Sequence, residues 1–212
     1  MFLMLPLLSM GEGLDYSKRQ VSQFQVAIDA LENLSVETLT LNSVPFCMRY
    51  TCREIISVKI PELEWNAATE VLTEKPISAE MERAILAEVV SHIEVLIGRV
   101  TNTQYDIGGT FRAKSIKNLN SMQLDCIDEA FNMYVYLNLL NSEGKLHWHS
   151  ISEVVHRGWL VDLSYPHTAL SIAELATRDR FVIDSWFHDN GRPPELIPLP
   201  VWKAGWTPED FK

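Results

Sequence analysis

The sequence predicts an α+β protein in which helices come first and strands follow, and three observations carry that reading. Apolar residues recur at helical spacing through the first two thirds of the chain. Past Gly144 the pattern changes to short β-branched runs, and no strand–helix–strand alternation of the parallel-sheet kind is visible. At 212 residues, with 47% hydrophobic and 22% charged content, the chain can bury one good core.

Taken in order, Val21, Phe24, Ile28, Leu31 and Leu34 lie on one helical face over residues 16–34. Residues 1–45 therefore read as an N-terminal helical extension, and residues 46–212 as the main domain. Cys52 to Ile60 is rich in β-branched residues and ends at Pro61, which predicts a strand. The strongest helix is expected over Ser78–Ile97. Ser78 suits its N-cap, Glu80 and Glu82 its first turn, Met81, Ile85, Val89, Ile93, Leu96 and Ile97 its apolar face, and Gly98 its stop. Residues 100–122 read as loop, and a second helix is predicted from Cys126 to Leu140. Strands follow over His147–Val155, Thr168–Leu175 and Arg180–Trp186. The tail from Gly191 holds five prolines and is expected to be irregular, with Trp202 and Trp206 anchoring it to the core.

Charge and cysteine content narrow the function classes. A net charge of −10, with the few basic residues scattered, argues against a nucleic-acid partner. The apolar stretch Met1–Leu8 is short and lacks a basic flank, and no run approaches the roughly 20 residues of a membrane span. This places the chain in the cytoplasm by default, or in the periplasm or outside the cell if Met1–Leu8 is a trimmed export signal. Cys47 and Cys52 stand close together and Cys126 alone. The pair fits either one disulfide or two inert buried thiols. No second Cys or His pair lies at ligand spacing beside them, which reads against zinc.

Cys126 falls where the second helix begins, in Gln123-Leu124-Asp125-Cys126-Ile127-Asp128-Glu129. Unpaired N–H groups and the helix dipole at such a position favour a thiolate. Two β-prone runs flank Thr177-Arg178-Asp179, and a hairpin folded about residues 175–177 sets His167 opposite Asp184 or within two residues of it. An imidazole oriented by a carboxylate is the second half of a thiol triad. Gln123 is the candidate side-chain donor for an oxyanion hole, and Trp186 a candidate shield for the His–Asp pair. Asp125, Asp128 and Glu129 oppose thiol ionisation unless they point elsewhere, for example toward Arg112 or Lys114.

A cysteine at a helix start, a histidine leading a strand and an aspartate ending the next resemble the transglutaminase-like branch of papain-fold cysteine enzymes. Asp125–Glu129 and Val182–Gly191 also look like segments of uncharacterised bacterial proteins. The resemblance spans about residues 52–206. It implies a papain-like α+β core with Cys126 as nucleophile, His167 as general base and then acid, and Asp184 orienting the imidazole. The expected function is a cysteine-dependent hydrolase or acyltransferase acting on an amide or peptide bond, with a peptide or protein substrate. Such a triad needs no metal or organic cofactor. The alternative is a catalytically inactive domain of the same class that binds a peptide or protein partner in its groove.

Two further patterns receive plainer readings. Asp106–Thr110 matches a sugar-kinase phosphate loop, but the chain is too short for that two-lobed fold, so a Gly-rich turn near the thiol is expected. His147, His149, His156, Asp162 and His167 resemble a metal cluster but lack a diagnostic spacing.

Overall fold

The computed structural model describes residues 39–110, 122–158, 167–209 and 211. The helix expected over residues 16–34 and the apolar Met1–Leu8 lie outside them, as do Arg112, Lys114 and Asp162. Among the described residues the chain is α+β in the general sense, with four α-helices and two antiparallel sheets. A hairpin of β1 (Val44–Met48) and β2 (Glu54–Val58) comes first. Helices α1 (Glu62–Thr69), α2 (Ala79–Thr101) and α3 (Cys126–Ser142) follow. Strands β3 (His149–Arg157), β4 (His167–Glu174), β5 (Arg180–Asp184) and β6 (Glu195–Pro198) form the larger sheet in that order, and α4 (Leu199–Lys203) closes the series. No helix among the described residues is long and apolar enough to cross a membrane.

Helix α3 is the axis of the fold. Its residues Ala130, Phe131, Met133, Val135, Tyr136, Leu137, Leu139 and Leu140 are all buried, so it is apolar on nearly every side. A helix of that kind belongs between other elements. It packs on β3 and β4 of the larger sheet and on β1 of the hairpin. The hairpin thus clamps one side of α3 while the sheet holds the other.

Helix α2 starts where the sequence indicates, with Ser78 Oγ accepting the Met81 N–H at 3.1 Å. It does not stop at Gly98. The helix runs on to Thr101 and ends at Asn102, which takes the left-handed conformation (φ 61°) that asparagine tolerates. Gly98 has a packing role instead. A Cβ there would lie 2.7 Å from Asn190 Oδ1 and 3.1 Å from Gln104 Cα, so glycine lets the loop after β5 approach the helix.

Strand β1 is not among the expected elements, and its first residues, Val44 and Pro45, lie inside the expected N-terminal extension. The tail from Gly191 is also more regular than its prolines suggest. Residues Glu195–Pro198 pair with β5, Asp184 facing Glu195, and Pro200 sits in the first turn of α4, where a missing N–H costs nothing. Position β6 is an edge of the sheet, the place where a strand can carry Pro198.

Candidate active site

The β4–β5 hairpin folds in the register that the sequence suggests. Leu170 faces Ile183 and Ala173 faces Arg180, while Arg178 makes the turn with a left-handed φ of 67°. This brings His167, at the start of β4, back to Asp184, at the end of β5. His167 Nε2 lies 2.7 Å from Asp184 Oδ2. The pair is closed to solvent, His167 being 4% and Asp184 2% exposed. The other ring nitrogen, Nδ1, is buried without a hydrogen-bond partner among the described residues.

Aromatic rings surround the imidazole. Trp186 lies 4.6 Å from it centroid to centroid, Phe187 5.1 Å and Trp202 5.5 Å. Trp186 is fixed by its own indole N–H, which donates to the Thr110 carbonyl at 2.8 Å. Trp202 does more than anchor the tail. Its Nε1–H donates to Asp184 Oδ2 at 2.7 Å, so the carboxylate is held by an indole as well as by the histidine. No sequence signal singled it out, because α4 brings it to Asp184 from 18 residues away.

Cys126 is the first residue of α3, and Asp125 is the N-cap. The Asp125 carboxylate accepts the Ile127 and Asp128 N–H groups at 3.1 Å each, and Asp128 Oδ2 accepts the Asp125 N–H in return, a complete capping box. The Cys126 N–H is not one of those that Asp125 takes. The thiol is 8% exposed. Burial pushes it well above its ordinary range, and the carboxylates of Asp125, Asp184 and Asp128 push the same way, while a hydrogen bond from the Thr168 N–H opposes them.

Asp128 and Glu129 turn away from the sulfur to different partners. Asp128 reaches the β1–β2 turn, where Oδ2 accepts the Tyr50 N–H and Oδ1 the Cys52 N–H, each at 2.7 Å. Glu129 Oε2 accepts the Ser185 hydroxyl at 3.1 Å. Gln123 is not presented to the thiol. Its Oε1 accepts the Ile107 N–H at 2.9 Å and its Nε2 donates to the Tyr105 carbonyl at 2.8 Å, so it braces the loop at residues 105–107. That loop is the Gly-rich turn. Gly108 and Gly109 donate to Asp189 Oδ1 and to the Trp186 carbonyl, and a Cβ on Gly108 would lie 2.4 Å from the Phe187 oxygen. The turn thus packs against Phe187 and the residues that follow β5.

The histidines do not converge. His147 Nε2 meets the Leu72 carbonyl, His149 lies between Glu82 and Arg83, and His156 Nδ1 meets Thr168 Oγ1.

Behind the site lies a group of buried acids. Glu94 is raised to about 8, first by burial and further by Asp106, against hydrogen bonds from Ser185 and Gly191. Asp106 is raised to about 9 by burial and then by the charge of Glu129. These carboxyls keep protons in the folded chain that they lose in the unfolded chain near their ordinary values of 4.5 and 3.8. Folding stability should then fall as pH rises from about 4 toward 9, by up to about 1.4 kcal/mol per pH unit for each group. Glu82 is shifted the opposite way, so its contribution is lost only below its ordinary value of 4.5 and does not mask the trend. Thermal unfolding should show a Tm at pH 8.5 at least about 5 °C below that at pH 5. A Tm that rises over this interval would show that these carboxyls are ionised in the folded state.

No family model matches the sequence, and comparison with curated proteins and with solved structures likewise gives no match. The functional reading therefore stands on the site itself.

Proposed function

We propose that the protein is a cysteine-dependent hydrolase or acyltransferase of the transglutaminase-like, papain-fold kind, acting on an amide or peptide bond. One observation carries the reading. His167 commits Nε2 to Asp184 and keeps Nδ1 buried with no partner among the described residues, and it is next in sequence to Thr168, whose backbone opposes the upward shift of the Cys126 thiol. A buried imidazole nitrogen without a partner costs stability. Its presence is accounted for if Nδ1 takes the thiol proton.

In the resting site burial and three carboxylates keep the thiol protonated. When a substrate carbonyl reaches the sulfur, His167 Nδ1 removes the Cys126 proton as the sulfur attacks, and Asp184 stabilises the imidazolium that forms. The Cys126 N–H, at the first position of α3, is the backbone donor best placed for the developing oxyanion. The amine leaves with the proton from His167. Water or a second amine, deprotonated in turn by His167, then resolves the thioester. The rings of Trp186, Phe187 and Trp202 keep the ion pair away from bulk water.

The alternative, a catalytically silent domain that binds a peptide, is favoured by the raised thiol and the low exposure of Cys126. Incubation with a panel of activated acyl esters separates the two. The catalytic reading predicts a mass increase confined to Cys126, reversed by hydroxylamine and absent in Cys126→Ser. No acyl adduct with any ester, in protein that unfolds cooperatively, favours the binding domain.

A further inference from the structure

We propose that the turn of the β1–β2 hairpin is a redox-gated metal site, in which reduction of a disulfide lets Cys47, Cys52 and Asp128 hold a thiophilic divalent cation of the zinc class. Cys47 and Cys52 are joined by a disulfide across this turn. One donor atom from each of these two residues and from Asp128 lies within 4.8 Å of the others, and all three residues are buried. Among the described residues this is the group of metal-ligating side chains that meets that span. A single tetrahedral cation, with metal–sulfur bonds of about 2.3 Å and metal–oxygen bonds of about 2.0–2.2 Å, bridges such a distance.

The surroundings hold the donors in place. Arg49, Tyr50, Thr51 and Cys52 all have φ between 51° and 69°, and this left-handed run brings Cys52 back toward Cys47. The Tyr50 and Cys52 N–H groups orient the Asp128 carboxylate, and Cys47 Sγ lies 3.1 Å from its Oδ1. Asn132 grips Cys47 from the other side, accepting its N–H at 2.8 Å and donating to its carbonyl at 2.9 Å. Hydrogen bonds of this kind fix ligand orientation in metal sites.

The donor chemistry selects the ion. Two thiolates and one carboxylate suit zinc, and favour it over calcium or magnesium, which take oxygen ligands. Reduction leaves two thiols against a buried carboxyl group, and a divalent cation replaces the protons that these groups would otherwise hold. The electron balance is complete. A dithiol reductant gives two electrons and two protons, its own sulfurs join, the Cys47–Cys52 bond breaks and two thiols form. Cation binding then releases both thiol protons. Spacing in sequence hides the site, because Asp128 enters from 76 residues beyond Cys52.

The test uses the full chain carrying Cys126→Ser, so that the pair provides its only thiols. Oxidised and phosphine-reduced protein are each titrated with Co²⁺ under argon, the phosphine taking the oxygen of one water as it reduces the disulfide. The reduced chain should bind one Co²⁺ with a sulfur-to-cobalt charge-transfer band and tetrahedral d–d absorption, and the oxidised chain should show neither. Cys47→Ser should abolish the charge-transfer band, and Asp128→Asn should weaken binding at least about tenfold. The comparison of oxidised with reduced chain decides the matter even if Asp128→Asn fails to fold. No stoichiometric cobalt in the reduced chain, or an unchanged band in Cys47→Ser, would overturn the proposal. Neither result bears on acyl transfer at Cys126.

Discussion

Replacing His167 with alanine should slow acylation of Cys126 by about 10²–10⁴-fold at pH 7, the range that a positioned acid–base group supplies. The effect is expected to be large because, in the proposed mechanism, His167 takes the thiol proton. The charged groups acting on the thiol are Asp125, Asp184 and Asp128, and each opposes its ionisation. In the proposed mechanism, protonation of His167 relieves that opposition. Asp184→Asn should cost less, since the Trp202 indole still holds the side chain at that position. The measurement is the rate of hydroxylamine-sensitive adduct formation at Cys126 by mass spectrometry. Equal rates for wild type and His167→Ala would remove the imidazole from the mechanism.

Glu82→Ala should lower the stability of the fold by about 3–5 kcal/mol, because it leaves three buried donors without their acceptor at roughly 1–3 kcal/mol each. Both Glu82 and His149 side chains are fully buried. Glu82 Oε2 lies 2.6 Å from His149 Nδ1, and the same carboxylate accepts the His147 N–H at 2.6 Å and the Trp148 N–H at 3.0 Å. On the far side His149 Nε2 meets Arg83 at 3.0 Å, and Arg83 bridges on to Glu174 at 2.9 Å. Removing the carboxylate strands two backbone donors and one ring nitrogen away from water. It also unfastens the start of β3 from α2. Urea unfolding at pH 7 reads the loss, and Glu82→Gln, which keeps the volume and some of the acceptor capacity, should lose less. A change below about 1 kcal/mol in Glu82→Ala would mean that the network is not holding β3.

The parts of this fold that periodicity and capping control were legible in the sequence. Ser78 and Asp125 start their helices because a short polar side chain there satisfies N–H groups that the helix cannot. The β4–β5 hairpin was legible because a strand's alternation and a polar turn set its register, and that register alone brings His167 to Asp184. What stayed hidden depends on distant packing. Gly98 looks like a helix stop, yet it serves the approach of Asn190. Gln123 looks well placed for an oxyanion because it precedes Cys126, but the loop at residues 105–107 takes it. Trp202 and Asp128 have partners 18 and 76 or more residues away, and no local pattern announces such pairs.

The acidic residues around Cys126 show why sequence adjacency misleads. Asp125, Asp128 and Glu129 look like a cluster facing the thiol, and a helix sends their side chains in different directions. Asp125 caps α3, Asp128 joins the β1–β2 turn and Glu129 meets Ser185. Asp125 and Asp128 still raise the thiol, after burial. In the proposed mechanism the thiol depends on His167 for its ionisation.

That dependence is tested most directly by the rate of iodoacetamide alkylation at Cys126 from pH 6 to 10, followed by mass spectrometry on native wild type and His167→Ala. The account predicts measurable alkylation of the wild type at pH 7 and a rate at least about tenfold lower in His167→Ala, with the gap closing at alkaline pH where the thiol ionises unaided. Coincident profiles, both rising only at alkaline pH, would contradict a Cys126–His167 couple and leave the peptide-binding reading in its place.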